Sequence, residues 1–290
     1  MPDDSAKSLF PPAENLGRRG FIGASALAGY TLAAGPIQAQ TVVRTDTQGL
    51  TAGDVSIPTS TGAMGGYRAK PESGSALPTV IVMQEVFGLH EWLKDVCRRF
   101  AKAGYLAVAP DYYFRQGKLE GLTDFQTQIG PIVSKKPDAE LMSDLDATAA
   151  WAVTDGGAAA KLAVTGFCRG GRNTIVYATH NANLKAAVAW YGGNLAAPAT
   201  EFMTQRPVDV AANIKCPLLG LYAGDDPGIP PDHIALLKAA LAKSGKKTEV
   251  IVYPTAKHGF LADYRASYSA EASADAWPRC LAWFKENGVA

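Results

Sequence analysis

The chain has 290 residues, of which 47% are hydrophobic and 19% are charged. A chain of this length and composition can bury a large core, which excludes disordered and fibrous proteins. Its 28 basic and 27 acidic residues give a formal net charge of +1, which is too small to attract nucleic acid or an anionic membrane. We therefore expect a small-molecule substrate and no nucleic-acid partner.

Residues 1–40 have the layout of an export signal. Arg18 and Arg19 precede an apolar, small-residue run at 23–37, as in signals of the twin-arginine (Tat) type. A membrane anchor or an amphipathic helix is the alternative, but the run is shorter than the ~20 apolar residues needed to cross a bilayer. We expect the twin-arginine translocase as a partner during export, and a mature chain that starts near Gln40. The mature protein should be periplasmic or secreted, without stable membrane association.

A linker is predicted over residues 41–52, followed by a single domain over residues 53–290. Two short segments, at 54–58 and 64–70, flank a turn-prone stretch and predict an antiparallel hairpin. Apolar runs then predict strands at 79–84, 106–109, 161–166, 184–190, 217–223 and 248–253. Helical patterns predict helices at 90–103, 138–153, 171–179, 232–244 and 270–287.

This alternation predicts an α/β fold with a mostly parallel central sheet and helices on both faces. Residues 112–137 and 192–215 are the longest stretches without a clear period. Long connections of this kind tend to border the ligand site in open α/β sheets.

The turn that joins the strand at 161–166 to the next helix has the sequence G-F-C-R-G-G. It matches the G-x-S-x-G nucleophile turn, with Cys168 at the serine position. Gly166 and Gly170 are expected to leave no room for a Cβ. The N-terminus of the helix would favour a thiolate at Cys168, and the backbone N–H of Arg169 would face an oxyanion. Alternatively, Cys168 is a small packing residue in an ordinary glycine-rich turn.

A thiol nucleophile needs a base, and the base needs an acid that fixes its tautomer. In folds of this type the chain order is nucleophile, acid, histidine. Asp225 and Asp226 follow the strand at 217–223, and His258 follows the strand at 248–253. We prefer Asp226 as the acid, although either aspartate could be a turn residue and His258 could serve packing. His90 is a weaker candidate for lining the pocket.

The cysteines and histidines are few and widely separated. No C-x-x-C pair occurs, and no histidines have the spacing of a metal-binding motif. This pattern argues against a metal site. The residues are Cys97, Cys168, Cys216, Cys280, His90, His180, His233 and His258.

Six segments together resemble the dienelactone hydrolases (carboxymethylenebutenolidases), a family of the α/β-hydrolase fold. They are Q-E-V-F-G at 84–88, A-P-D-Y-Y-F-R at 109–115, G-F-C-R-G-G at 166–171, W-Y-G at 190–192, G-D-D at 224–226 and H-G-F at 258–260. The resemblance covers about residues 50–290. It implies a triad of Cys168, Asp226 and His258, and it implies that Val86 supplies a second oxyanion-hole N–H beside Arg169.

The resemblance also implies roles for four residues around the triad. Glu85 would contact the thiol of Cys168 and help to generate the thiolate when substrate displaces it. Arg115 would bind a substrate carboxylate through its planar guanidinium. Phe87 and Tyr191 would contact the substrate. Alternatively, Glu85 stabilises a helix N-terminus and Arg115 is a solvated surface charge.

The chain departs from the family pattern just after His258. Gly259 and Ala262 stand where the family has a serine and an arginine. Lys257 or Arg265 could compensate for the missing arginine. The departure bears on which substrate the site accepts.

The resulting expectation is hydrolysis of a small activated ester or enol lactone without a cofactor. Cys168 would form a thioester with the acyl group, and His258 would activate the water that hydrolyses it. A general carboxylesterase or thioesterase with the same triad is the alternative, followed by a non-catalytic binding protein or a thiol sensor. A disulfide between Cys97 and Cys280 is also considered.

Overall fold

An eight-stranded sheet forms the centre of the domain. The computed structural model describes residues 44–290, and the predicted signal peptide at 1–40 lies outside the described residues. The strands are β1 (Leu50–Thr59), β2 (Gly62–Pro71), β3 (Leu77–Met83), β4 (Leu106–Pro110), β5 (Gly157–Phe167), β6 (Leu184–Trp190), β7 (Leu218–Ala223) and β8 (Thr248–Tyr253). Their order in the sheet is β1-β2-β4-β3-β5-β6-β7-β8.

The strands from β4 to β8 along this order run parallel, and β1 and β2 add an antiparallel hairpin at one edge. This confirms the predicted hairpin and the mostly parallel α/β fold. Every residue of β4 and β7 is buried, because helices cover both faces of the sheet. Double-sided burial explains the continuous apolar runs that identified these strands.

The hairpin begins earlier than expected. β1 starts at Leu50, inside the segment predicted as linker (41–52). The residues before it are held by polar contacts: the backbone N–H of Thr45 donates to Asp95 Oδ1 at 2.5 Å, and Lys102 Nζ lies 2.6 Å from Asp46 Oδ1. Contacts of this kind have no apolar periodicity, so the sequence pattern does not indicate them.

Helices pack on both faces of the sheet. They are α1 (Glu91–Lys102), α2 (Gly130–Val133), α3 (Asp138–Thr154), α4 (Arg169–His180), α5 (Pro207–Val210), α6 (Pro231–Leu241) and α7 (Ala270–Glu286). The step from β3 to β4 moves in one direction along the sheet and the step from β5 to β6 in the other, so right-handed crossovers place α1 and α4 on opposite faces. Among the described helices, none is long and apolar enough to cross a bilayer.

The two long connections contain short helices that the sequence pattern did not predict. Residues 112–137 include a π-helix at Phe125–Ile129 as well as α2, and residues 192–215 include α5 and a 3-10 turn at Ala211–Asn213. Each is too short to show a helical period.

All four cysteines are buried and free. The disulfide considered between Cys97 and Cys280 is therefore not formed. Burial raises the pKa of both thiols above the ordinary range, so both stay protonated.

The parallel strands direct their carboxyl ends to one edge of the sheet. Glu85 comes shortly after β3, Cys168 follows β5 and Tyr191 follows β6, while Asp226 and His258 come after β7 and β8. These residues are distant in sequence, and the topology brings them to the same edge, where ligand sites of open α/β sheets lie.

Candidate active site

Cys168 occupies a strained turn between β5 and α4. Its backbone has φ +56° and ψ −115°, a conformation that residues other than glycine rarely adopt. A Cβ on Gly166 would overlap the carbonyl oxygen of Gly170, and a Cβ on Gly170 would overlap the carbonyl oxygen of Met83. Both glycines are therefore needed for the turn, as predicted. The turn leaves Cys168 at the N-terminus of α4.

His258 and Asp226 form a buried pair. His258 Nδ1 lies 2.7 Å from Asp226 Oδ2, and Asp226 Oδ1 accepts a hydrogen bond from the backbone N–H of Gly228 at 2.9 Å. Asp225 is exposed, with its Oδ2 4.0 Å from Lys257 Nζ. The structure thus separates the two aspartates that spacing left open: Asp226 contacts the imidazole, and Asp225 is a surface residue.

The charge of His258 depends on its neighbours. Burial acts to lower the pKa of the imidazole, but the negative charge of Cys168 and hydrogen bonds to Asp226 and Cys168 raise that pKa to about 10. Because Nδ1 is engaged by Asp226, Nε2 is the ring nitrogen left for Cys168, and it has no hydrogen-bond partner within residues 44–290. These surroundings therefore favour the protonated form of His258.

Glu85 is buried in a cluster with three other side chains. Its Oε2 accepts a hydrogen bond from Tyr264 OH at 2.7 Å, and its Oε1 accepts one from Arg265 Nη2 at 3.0 Å. His90 Nε2 lies 3.3 Å from Oε2. Burial acts to raise the pKa of the Glu85 carboxyl. The charge of Arg265 and the contacts with His90 and Tyr264 lower that pKa by more, so it lies below the ordinary range. Glu85 is therefore an ionised, paired carboxylate.

This arrangement corrects the expectation for Glu85. The family resemblance implied a contact with the thiol of Cys168, whereas the carboxylate oxygens of Glu85 accept hydrogen bonds from Tyr264 and Arg265. A charge-assisted bond to a guanidinium is stronger than a bond to a neutral thiol, which explains the preference. Glu85 therefore has its charge balanced by partners other than Cys168.

Arg115 also differs from expectation. Its Nη1 and Nη2 atoms bind the two carboxylate oxygens of Asp144 at 2.8 and 3.0 Å, and its Nε donates to Thr61 Oγ1 at 2.5 Å. Nη2 also donates to Thr59 Oγ1 at 3.0 Å. The guanidinium is therefore saturated by the chain itself, and Arg115 ties the β1–β2 turn to α3. The expected role of Arg115 in binding a substrate carboxylate is not supported by this geometry.

Arg265 is the arginine that lies within the site. Its guanidinium carbon is 5.2 Å from the centre of the Phe87 ring. Burial acts to lower the pKa of Arg265, but the charges of Glu85 and Cys168 are among the causes that raise it, so Arg265 is a permanent cation near the nucleophile. The sequence suggested Arg265 only as a compensating residue, because it lies beyond the position at which the family carries its arginine.

The two expected oxyanion donors come from adjacent segments. Val86 lies in the loop after β3, and Arg169 is the first residue of α4. The turn at Gly170 packs against the carbonyl oxygens of Met83 and Gln84, which brings these segments side by side. The segments that carry the backbone N–H groups of Val86 and Arg169 therefore lie next to each other near Cys168.

Tyrosines surround the nucleophile on several sides. Tyr191 lies after β6, with its ring edge-on to that of His258 at 5.1 Å between centres. Tyr113 lies after β4. Burial raises the pKa of its hydroxyl; the charge of Arg169 lowers that pKa, and the charge of Cys168 raises it. Sequence reasoning missed Tyr113 and Tyr264. Tyr113 was indicated by its place after a parallel strand and within the A-P-D-Y-Y-F-R segment, and Tyr264 carried no signal.

The strand order, the nucleophile turn and the buried histidine–aspartate pair define this protein as an enzyme of the α/β-hydrolase fold. The chain belongs to the dienelactone hydrolase family, whose family model matches residues 64–288. It is a carboxylic ester hydrolase.

Relatives of similar length support this placement. A Methylorubrum extorquens protein, provisionally named carboxymethylenebutenolidase, is 50% identical over 276 residues, which cover 95% of this chain and 94% of the relative. An Escherichia coli protein with the same provisional name is 46% identical over 261 residues, covering 90% and 96%. The crystal structure of a provisionally named dienelactone hydrolase from Klebsiella pneumoniae superposes with a TM-score of 0.80 at 47% identity, covering 82% of this chain and 99% of that one.

Proposed function

We propose that this chain hydrolyses small activated esters or enol lactones through a thioester on Cys168, with His258 as the acid–base residue and Asp226 as its orienting partner. The observation that carries the proposal is the 2.7 Å contact between His258 Nδ1 and Asp226 Oδ2. This contact leaves Nε2 to serve a cysteine held in a strained nucleophile turn on the same edge of the sheet.

In the proposed acylation step, Sγ of Cys168 forms a bond to the acyl carbon while the bond to the leaving oxygen breaks. His258 Nε2 delivers its proton to that oxygen, and the N–H groups of Val86 and Arg169 stabilise the oxyanion. In deacylation, His258 takes a proton from the attacking water, the water oxygen bonds to the acyl carbon, and the acyl–Sγ bond breaks to release the acid and Cys168. Activated esters and enol lactones suit this route, because a thiolate leaves a tetrahedral intermediate more readily than a poor alkoxide does.

A carboxylate on the substrate would find its partner in Arg265 rather than in Arg115. Arg265 is buried and packs over the Phe87 ring, and the charge of Cys168 is among the causes that raise the pKa of its guanidinium. A guanidinium can pair with a carboxylate through two parallel hydrogen bonds. The substrate anion would compete with Glu85 for Arg265, so binding would rearrange the ion pair that the structure describes.

The thioester can be trapped with 4-nitrophenyl acetate. Acid quenching of the wild-type enzyme during turnover is expected to leave one acetyl group, and mass spectrometry of the digested protein should locate it on Cys168. The buried thiols of Cys97, Cys216 and Cys280 serve as internal controls in the same sample. Acetylation of a different residue, or turnover without any adduct on Cys168, would contradict the proposed mechanism.

We further propose that residues 1–40 direct export through the twin-arginine translocase, on the evidence of Arg18 and Arg19 before an apolar run. Replacing both arginines by lysine (Arg18→Lys, Arg19→Lys) keeps the charge and is expected to retain the full-length chain in the cytoplasm. Fractionation of a bacterial host that has this translocase measures the effect. Arg44→Lys, just beyond the signal, is the matched control, and periplasmic delivery of the double variant would refute the proposal.

A further inference from the structure

Tyr191 is held in an unusual way at the carboxyl edge of the sheet. It follows β6 directly, has a φ of +37° and is fully buried. Its hydroxyl has no hydrogen-bond partner in the described part of the chain. Its backbone N–H donates to the carbonyl oxygen of Leu221 at 2.8 Å, so the strained backbone keeps its hydrogen bond.

Both features are costly to the folded state. A non-glycine residue in this region of backbone space costs about 1–3 kcal/mol. A buried hydroxyl without a partner costs about 1–3 kcal/mol more. Such costs persist where the strained group has a task, and a phenol hydroxyl that lacks an internal partner is free to donate to a bound substrate.

The position of the Tyr191 ring indicates which part of the substrate it meets. The oxyanion donors Val86 and Arg169 lie where the turn after β5 packs against the end of β3. The backbone of Tyr191 lies on the opposite side of Cys168, because β6 flanks β5 on the side away from β3. Its ring is edge-on to His258, 5.1 Å between centres.

The leaving oxygen must lie on this side as well. In the acylation step it receives a proton from His258 Nε2, so it cannot occupy the oxyanion position near Val86. A hydroxyl that reaches this side of Cys168 would meet the leaving oxygen rather than the carbonyl oxygen.

We propose that the hydroxyl of Tyr191 donates a hydrogen bond to the leaving-group oxygen during acylation, which makes Tyr191 a further catalytic residue. This role rests on the proposed thioester mechanism. The Sγ–acyl bond forms, the acyl–oxygen bond breaks, and the leaving oxygen takes its proton from His258. Tyr191 keeps its own proton throughout and stabilises the negative charge that develops on the oxygen.

The surroundings of Tyr191 keep it a donor. Burial raises the pKa of the phenol well above its ordinary value, the charges of Glu85 and Cys168 raise it further, and Arg265 opposes them. The hydroxyl therefore remains protonated at neutral pH.

The test compares two acetate esters that form the same acyl-enzyme. Phenyl acetate has a poor leaving group and 4-nitrophenyl acetate a good one, and kcat/KM reports acylation in both cases. Tyr191→Phe is expected to lower kcat/KM about 10- to 100-fold for phenyl acetate and less than about threefold for 4-nitrophenyl acetate. A purely structural role of the hydroxyl would lower both by the same factor.

Tyr113→Phe is the matched control, because it removes another buried hydroxyl without a partner among residues 44–290, from the other side of Cys168. It is expected to leave the ratio of the two kcat/KM values unchanged. An unchanged ratio in Tyr191→Phe, with acetyl-Cys168 still detected by mass spectrometry, would overturn this role alone. Loss of the Cys168 adduct in the wild-type enzyme would overturn the thioester mechanism and this role together.

Discussion

Replacement of Cys168 by alanine is expected to lower kcat/KM for 4-nitrophenyl acetate by at least about 10³-fold, because the covalent step loses its nucleophile. The His258–Asp226 pair does not depend on the Cys168 side chain for its 2.7 Å contact, so the variant should still fold. Initial rates over a substrate series, with circular dichroism to check folding, measure the effect.

Cys216→Ala is the control for the loss of a buried thiol. Cys216 is buried and free like Cys168, but it precedes β7 at the opposite end of that strand from Asp226. The control variant is expected to retain activity close to that of the wild type. Substantial ester hydrolysis by folded Cys168→Ala would eliminate the thioester route and leave a water-based mechanism.

Replacement of Arg265 by methionine is expected to lower kcat/KM for a carboxylate-bearing enol lactone by about 10²-fold relative to a neutral activated ester. The same change leaves Glu85 charged and buried, so we expect unfolding to become easier by about 3–5 kcal/mol. Denaturant unfolding gives the stability, and the ratio of kcat/KM values for the two substrates gives the selectivity.

The stability loss can be separated from the selectivity loss. The double variant Glu85→Gln, Arg265→Met removes both charges of the buried pair and is expected to recover much of the stability while the selectivity stays low. Arg115→Met breaks the paired bonds to Asp144 and is expected to reduce stability without changing the selectivity. If Arg115→Met changed the selectivity and Arg265→Met did not, the assignment of the substrate carboxylate to Arg265 would be wrong.

The hydrophobic pattern predicted the fold well because strand and helix periods are local properties of the chain. The predicted strands at 184–190 and 248–253 coincide with β6 and β8, and the hairpin was found as expected. The short helices in the two long connections were missed, since four or five residues do not complete enough turns to show a period. The early start of β1 was missed because polar contacts hold the segment before it.

The sequence by itself indicated the nucleophile turn at Cys168 and the order of cysteine, aspartate and histidine along the chain, because glycine spacing and strand ends are encoded by neighbouring residues. Only the tertiary structure decided which partners the charged residues choose. It paired Asp226 with His258, Arg115 with Asp144, and Glu85 with Arg265, which lies 180 residues away in the chain. Ion pairs depend on distances in space and on burial, and no local pattern of residues carries that information.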